Sequence, residues 1–345
     1  MDNLMGNNAR IKELNVEIVR EALKSLGRAT KQKLVSVSGL SHIACGSVLE
    51  ELLEAGEVIQ LMQGENGTRR HIQKYAYNFN YAQICGIALF SEHGCRRVVM
   101  VLANSGGKIL ERREFDFAKL PPEKLRELVR DMMTDYPAIK VISLSYPGPV
   151  LNGVTASYGD FPELYNFPAA EFLMAEFGVK VLIENDVNMA ALGIGGKFSS
   201  KSNENVVLYI ALPFGSCPGI GIVGNGGIIR GAHGFAGEAL FFPLQVDSAM
   251  EVQNEPTFDG AVNQIADLVQ ALIALIDPGV IVISGRGVTT EIFEMVKIRC
   301  HGKFAGRIMP EFEHRYDYRE DCLKGIVGQG VESLRSPLCL CRNYK

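Results

Sequence analysis

Apolar residues recur at helical spacing over residues 15–26, NVEIVREALKSL, where Ile18, Val19, Ala22, Leu23 and Leu26 share a face. Gly27 follows as a stop. TKQKLVSV at 30–37 predicts a second, short helix with Thr30 as N-cap. After the turn SGLS at 38–41, HIACGSVLEELLEAG places Cys45, Val48, Leu49, Leu52 and Leu53 on one face, between the N-cap Ser41 and the stop Gly56. The period then changes. VIQLM at 58–62 and HIQKYAY at 71–77 flank GENGTRR, and its Asn66-Gly67 pair favours a tight hairpin. Helix, short helix, turn, helix and hairpin predict a winged helix-turn-helix over residues 1–78.

From residue 79 the pattern is α/β and repeats. Strand-like runs at 83–90, 98–103 and 108–115 precede a helix at 122–135, a buried strand at 140–146 ending in Pro147-Gly148-Pro149, a helix at 167–177 and a strand at 179–183. Runs at 206–212, 219–223 and 227–231 then precede a helix at 260–276, a strand at 280–284 and a helix at 289–299. Two successive βββ-α-β-α units predict two similar lobes, about 79–188 and 189–335, within a domain spanning 79–345. The arrangement is that of actin-like, ribonuclease-H-like domains.

A length of 345 residues suits two or three domains, and 47% hydrophobic content excludes global disorder. The longest apolar runs, such as LIALI at 272–276, predict no membrane span, and MDNLMGNNAR has no apolar core of a secretory signal. A cytoplasmic protein is the expectation. The net charge of −4 is uneven. Residues 1–80 hold 10 basic and 9 acidic side chains, and the rest hold 25 and 30. The eight cysteines form no CxxC pair and read as reduced core thiols. Cys339-x-Cys341 is a weak metal motif without a nearby His.

A winged helix presents its second motif helix to the major groove of duplex DNA. That predicts base-edge contacts from Ser41, His42 and Ser47. Thr68, Arg69 and Arg70 on the wing, with Lys31 and Lys33 nearby, suit phosphate. The bland alternative is a helical packing module, with Ser41 only a cap. GIGIVG at 219–224 matches a dinucleotide fingerprint by spacing alone. The Asn225-Gly226 turn signal after it excludes the helix that such a site requires.

ENDVNMAALG at 184–193, NGGIIRGAHGFAGE at 225–238 and DPGVIVISG at 277–285 resemble signature segments of the ROK family, which groups repressors, uncharacterised proteins and sugar kinases. The resemblance spans roughly residues 10 to 335. A winged helix ahead of such a domain is the layout of the family's transcriptional repressors. By resemblance, Asn185, Asp186 and Glu238 are sugar-hydroxyl ligands, with Asp186 a vestigial catalytic base. Helix capping is the plain alternative for the first two.

The family's first phosphate turn, DxGxT, aligns with Ala88–Glu92, and its second with Gly215-Ser216-Cys217-Pro218-Gly219. Both lack the expected residues, so ATP binding and kinase activity are not expected. The zinc-binding His is replaced by Phe241, and 242–260 holds no Cys or His. No metal and no cofactor are therefore expected, and Phe241 and Phe242 would fill the space as apolar packing. The expectation is a homodimeric repressor that binds double-stranded operator DNA and senses a sugar or sugar phosphate. A sugar kinase with an appended winged helix and a ligand-free dimerisation scaffold are the alternatives.

Overall fold

The computed structural model describes residues 2–62, 73–92, 95–156, 161–198, 206–212, 218–241 and 257–335. Contacts divide the chain into two compact units, residues 1–83 with 104–108 and 333–345, and residues 84–103 with 109–332.

The first unit opens with α1 (Asp2–Leu26), α2 (Lys31–Ser38) and α3 (His42–Glu54), followed by β1 (Val58–Met62) and β2 (Gln73–Tyr77). α1 begins well before residue 15, and residues 2–14 escaped sequence periodicity because they carry no clear apolar stripe. Thr30 and Ser41 both cap as expected: each hydroxyl accepts from a backbone N–H three residues on, at 3.2 and 3.1 Å. Gly39, at φ 70°, ends α2 in the left-handed conformation.

β1 and β2 pair antiparallel, and Ala29 bridges to Tyr75 as a third edge. Val19, Leu23, Leu34, Cys45, Leu49, Leu52, Val58 and Tyr75 close the core. Each large aliphatic side chain in it contributes about 1.5–3 kcal/mol of burial. The Arg20 guanidinium clamps Glu57 with two bonds, at 2.9 and 3.1 Å, tying α1 to the start of β1. These elements form a winged helix-turn-helix.

The second unit runs one pattern twice. The first half is β3 (Gln83–Glu92), β4 (Cys95–Asn104), β5 (Ile109–Phe117), α4 (Pro122–Asp135) and β6 (Ile139–Tyr146). A hairpin of β7 (Val150–Leu151) and β8 (Val154–Thr155) follows, then α5 (Ala169–Phe177), β9 (Lys180–Asn185) and α6 (Asp186–Phe198). The second half is β10 (Val207–Ala211), β11 (Gly219–Gly224), β12 (Gly227–Ile228), α7 (Phe258–Ile276), β13 (Val280–Ser284), α8 (Thr290–Lys303), β14 (Glu311–Arg315) and α9 (Arg319–Ser333).

The sheets have the same order, β5-β4-β3-β6-β9 and β12-β11-β10-β13-β14. The repeat thus reaches further than the sequence pattern did: the second half gains a fifth strand, β14, and each half ends in a closing helix, α6 or α9. The predicted strand at 227–231 stops at Ile228, because the chain turns away through Gly231, at φ 72°.

Each closing helix packs on the sheet of the opposite half. α6 lies on β10 and β11. α9 lies on the first sheet: Gln329 accepts a hydrogen bond from Ser143 at 3.1 Å, and Cys322 and Ser145 are 3.4 Å apart. Where α6 and α9 cross, glycines remove the side chains. A Cβ on Gly193 would lie 2.0 Å from Asp321 O, and one on Gly325 would lie 1.8 Å from Met189 O.

Two expectations need correction, and the reason given for a third, the lack of a membrane span, does too. α7 is long and apolar enough, by length and composition alone, to cross a bilayer. Its buried face, with Val262, Ile265, Leu268, Val269 and Leu272, instead fills the core of the second sheet. Cys95 is exposed at the start of β4, unlike the buried Cys45, Cys85, Cys300 and Cys322. Phe241 is 68% exposed, its ring tilted against that of Phe235 at 5.3 Å between centroids, and does not fill a core. Phe242 and three cysteines, Cys217, Cys339 and Cys341, lie outside the described residues.

Candidate functional site

The α6 N-terminus carries a polar network built from two signature segments. β9 delivers Glu184 and Asn185 side by side, and Asp186 begins the helix. Asn185 Oδ1 accepts from the N–H groups of Val187 and Asn188 at 2.9 and 3.0 Å, and so caps α6. Its amide Nδ2 donates to Gly148 O, in the turn after β6, at 3.1 Å. Glu184, 3% exposed, accepts from Asn188 Nδ2 at 2.9 Å and from Arg230 Nε at 2.6 Å. Arg230 of the 225–238 segment is thereby tied to Glu184, the first residue of the 184–193 segment. Asn188 Oδ1 is buried without a hydrogen-bond partner.

Asp186 is 4% exposed. One carboxylate oxygen accepts from Val187 N at 2.9 Å, and the other from the Tyr318 hydroxyl at 2.7 Å. Burial and the neighbouring Asp186 push the Tyr318 phenol well above its ordinary pKa, so it stays a donor. Tyr318 also meets Phe90 edge-on, at 5.8 Å, and the Arg319 guanidinium lies 5.4 Å from the same Phe90 ring. Ala88 and Phe90 are inside β3, 0% and 1% exposed. The strand runs straight through Ala88–Glu92, where the family's first phosphate turn would stand. An aromatic pair and a guanidinium occupy that end of it.

Glu238 comes to the same part of the fold by another route. Gly237 accepts a backbone bond from Ile220 at 3.0 Å, and Gly219 and Gly221 of β11 pack against Val187, beside Asp186. Burial raises the half-buried Glu238 carboxyl above its ordinary pKa. Pro218 leads into β11, while Gly215, Ser216 and Cys217 lie outside the described residues.

Sequence reasoning missed Tyr318, Arg319 and the Glu184–Arg230 pair. Arg230 stood inside a segment already singled out, whereas no signal marked the start of α9. Among the described residues, no group of three His, Cys, Asp or Glu side chains could hold a metal ion.

In the first unit, the hydroxyl of Ser41 is spent on capping α3, while His42 and Ser47 are exposed on it. Lys31 is half-buried over α3: a Cβ on Gly46 would meet its Nζ at 2.3 Å. Lys33 is exposed on α2. Thr68, Arg69 and Arg70 lie outside the described residues.

A family model described as "ROK family" matches residues 91–245. The xylose repressor of Caldicellulosiruptor bescii is 24% identical over 246 residues, which cover 68% of this chain and 59% of the repressor. The chain spans about 60% of the length of the curated relatives it matches. The crystal structure of a ROK family transcriptional regulator, a homologue of the E. coli MLC protein, superposes with a TM-score of 0.61 at 16% identity, over 94% of this chain and 99% of that one. The ROK hexokinase of Thermus thermophilus superposes at 0.59 and 19% identity, over 71% of this chain and 96% of that one. The two likenesses extend the actin-like ROK fold to the second unit. Its 184–193 and 225–238 segments meet at the α6 N-terminus, and the chain carries a domain of the ROK family.

Proposed function

We propose that this chain is a sequence-specific transcriptional repressor of sugar-related genes. Its winged helix binds double-stranded operator DNA. Its ROK domain dimerises and senses a sugar or sugar phosphate through Asn185, Asp186 and Glu238, without cofactor, metal or turnover, in the cytoplasm. The sugar shifts the balance between operator-competent and operator-incompetent dimers. One observation carries the reading: a helix-turn-helix precedes a ROK domain whose β3 end is filled by Phe90, Tyr318 and Arg319. The names of the repressor relatives support a sugar effector.

Fluorescence anisotropy tests it, with the duplex upstream of the gene, a random duplex, and xylose, glucose or N-acetylglucosamine added. Binding that distinguishes the two duplexes and is released by one sugar is the expected result. Arg69→Ala with Arg70→Ala weakens binding and lowers the slope of affinity against salt, because phosphate contacts release counterions. Equal binding to both duplexes sinks the operator claim.

The kinase reading rests on Asp186, a buried carboxylate at a helix N-terminus where a sugar hydroxyl could be deprotonated. Phosphoryl transfer also needs held phosphates. A coupled ATP assay with the same sugars decides: consumption abolished by Asp186→Asn would establish the kinase.

A further inference from the structure

The first turn of α3 leaves one branched hydrocarbon in water. Ile43 is 85% exposed, whereas Cys45 and Val48, on the opposite face, are 0% and 4% exposed. A lone exposed apolar residue is ordinary on a protein surface. Here its neighbours give it meaning. At helical spacing Ile43 shares a face with Ser47, Glu50 and Glu54, all exposed. The face is neutral over its first turn and carboxylate-bearing over its last two.

Phosphates line both sides of a major groove and repel carboxylates. The helix can therefore approach a duplex only through its N-terminal end, with Ile43 foremost and His42 and Ser47 beside it. The Lys31 ammonium, folded over Gly46, supplies positive charge at that end. Among the groups on the major-groove edges of the base pairs, the apolar one is the 5-methyl of thymine. We infer that Ile43 is a specificity residue that reads a thymine by packing on its methyl. The inference rests on the proposed DNA-binding function and names the base that one side chain selects.

The test starts with the full chain and a random-sequence duplex library. The enriched duplex is then remade with each thymine in turn replaced by deoxyuridine, which keeps every hydrogen-bonding edge and removes only the methyl. Wild type should lose about fourfold in affinity at one thymine per half-site, the factor for burial of one methyl-sized group. Ile43→Ala should bind the thymine and uracil duplexes equally. The position is exposed and alanine favours helix, so the variant folds, and circular dichroism checks that it does.

If no duplex is enriched, the DNA-binding reading fails, and this inference with it. If a duplex is enriched but uracil costs nothing at any thymine, or costs the same in Ile43→Ala, only this inference is overturned. A change in oligomeric state in Ile43→Ala, with uracil sensitivity intact, would likewise overturn it and assign the side chain to a protein contact.

Discussion

The Tyr318 hydroxyl donates to the carboxylate of Asp186 at 2.7 Å, across 132 residues of chain. The phenol thus stands where a ligand hydroxyl would stand if Asp186 binds one. A ligand hydroxyl bound at that oxygen would compete with Tyr318 for it. Tyr318→Phe removes the competitor and keeps the ring against Phe90. We expect a stability loss of about 1.5 kcal/mol in urea unfolding, the scale of one hydrogen bond to a charged group. We also expect larger thermal shifts with the effector sugar than in wild type. Unchanged or smaller shifts would mean that the sugar does not displace the phenol.

Gly325 and Gly328 lie on the same helix in opposite situations. A Cβ at 325 would press on the Met189 carbonyl, while one at 328 would meet nothing within 4 Å. Gly325→Ala should therefore cost roughly 3 kcal/mol or more by forcing backbone apart. Gly328→Ala should stabilise by about 0.5–1 kcal/mol through helix propensity. Urea unfolding of both variants checks the contrast. Equal effects would refute the close approach of α6 and α9.

Glu238 makes stability depend on pH. Burial raises its folded-state pKa above the unfolded value, so the native chain holds this proton to higher pH. Its contribution to stability falls as pH rises through that window, and the penalty is complete above the folded pKa. Glu238→Gln should melt higher than wild type at neutral pH and level with it below roughly pH 4, where both states are protonated. A lower melting temperature at neutral pH would show that the charged form is stabilised instead.

Thiol chemistry should sort the described cysteines. Burial pushes the Cys85 thiol up to about 12 and the Cys300 thiol up to about 11, and raises Cys322 as well. Cys95 is exposed. Alkylation of the native chain near pH 8, read by peptide mass spectrometry, should label Cys95 and spare Cys85, Cys300 and Cys322 until denaturant is added. Rapid native labelling of Cys85 would contradict its place in β3.

Metal analysis of the purified chain should find well under one zinc per molecule. Phe241 stands where the family's zinc-binding His is expected, and a phenyl ring cannot ligate. Stoichiometric zinc would point to ligands outside the described residues, Cys339 and Cys341 among them.

The sequence made the winged helix and the first half of the repeat legible, because amphipathic stripes and capping residues such as Thr30 and Ser41 act locally. β14 and α9 were not legible. EFEHR has no apolar run, and its edge position leaves every residue at least partly exposed. α9 carries glycines at 325, 328 and 330, which lower helix propensity. Two of them make room, Gly325 for Met189 and Gly330 for Ile84. The Tyr318–Asp186 pair was hidden for the same reason. Motif matching could place Asp186, but it could not say what faces it, since that partner lies on an element without a pattern.

The crossing of α6 and α9 has a geometric consequence. Asp186 opens α6 seven residues before Gly193, and Tyr318, one residue ahead of α9, stands seven residues before Gly325. At 1.5 Å of rise per residue, each arm is about 10 Å long. The arms would carry any change in the crossing angle to the Asp186–Tyr318 bond. A 10° change in their angle would move one arm's end by about 2 Å relative to the other, enough to break the tyrosine–aspartate bond. A ligand that parted the two polar atoms would then act on the angle between two halves of a domain, as a pair of pliers joins its jaws to its handles.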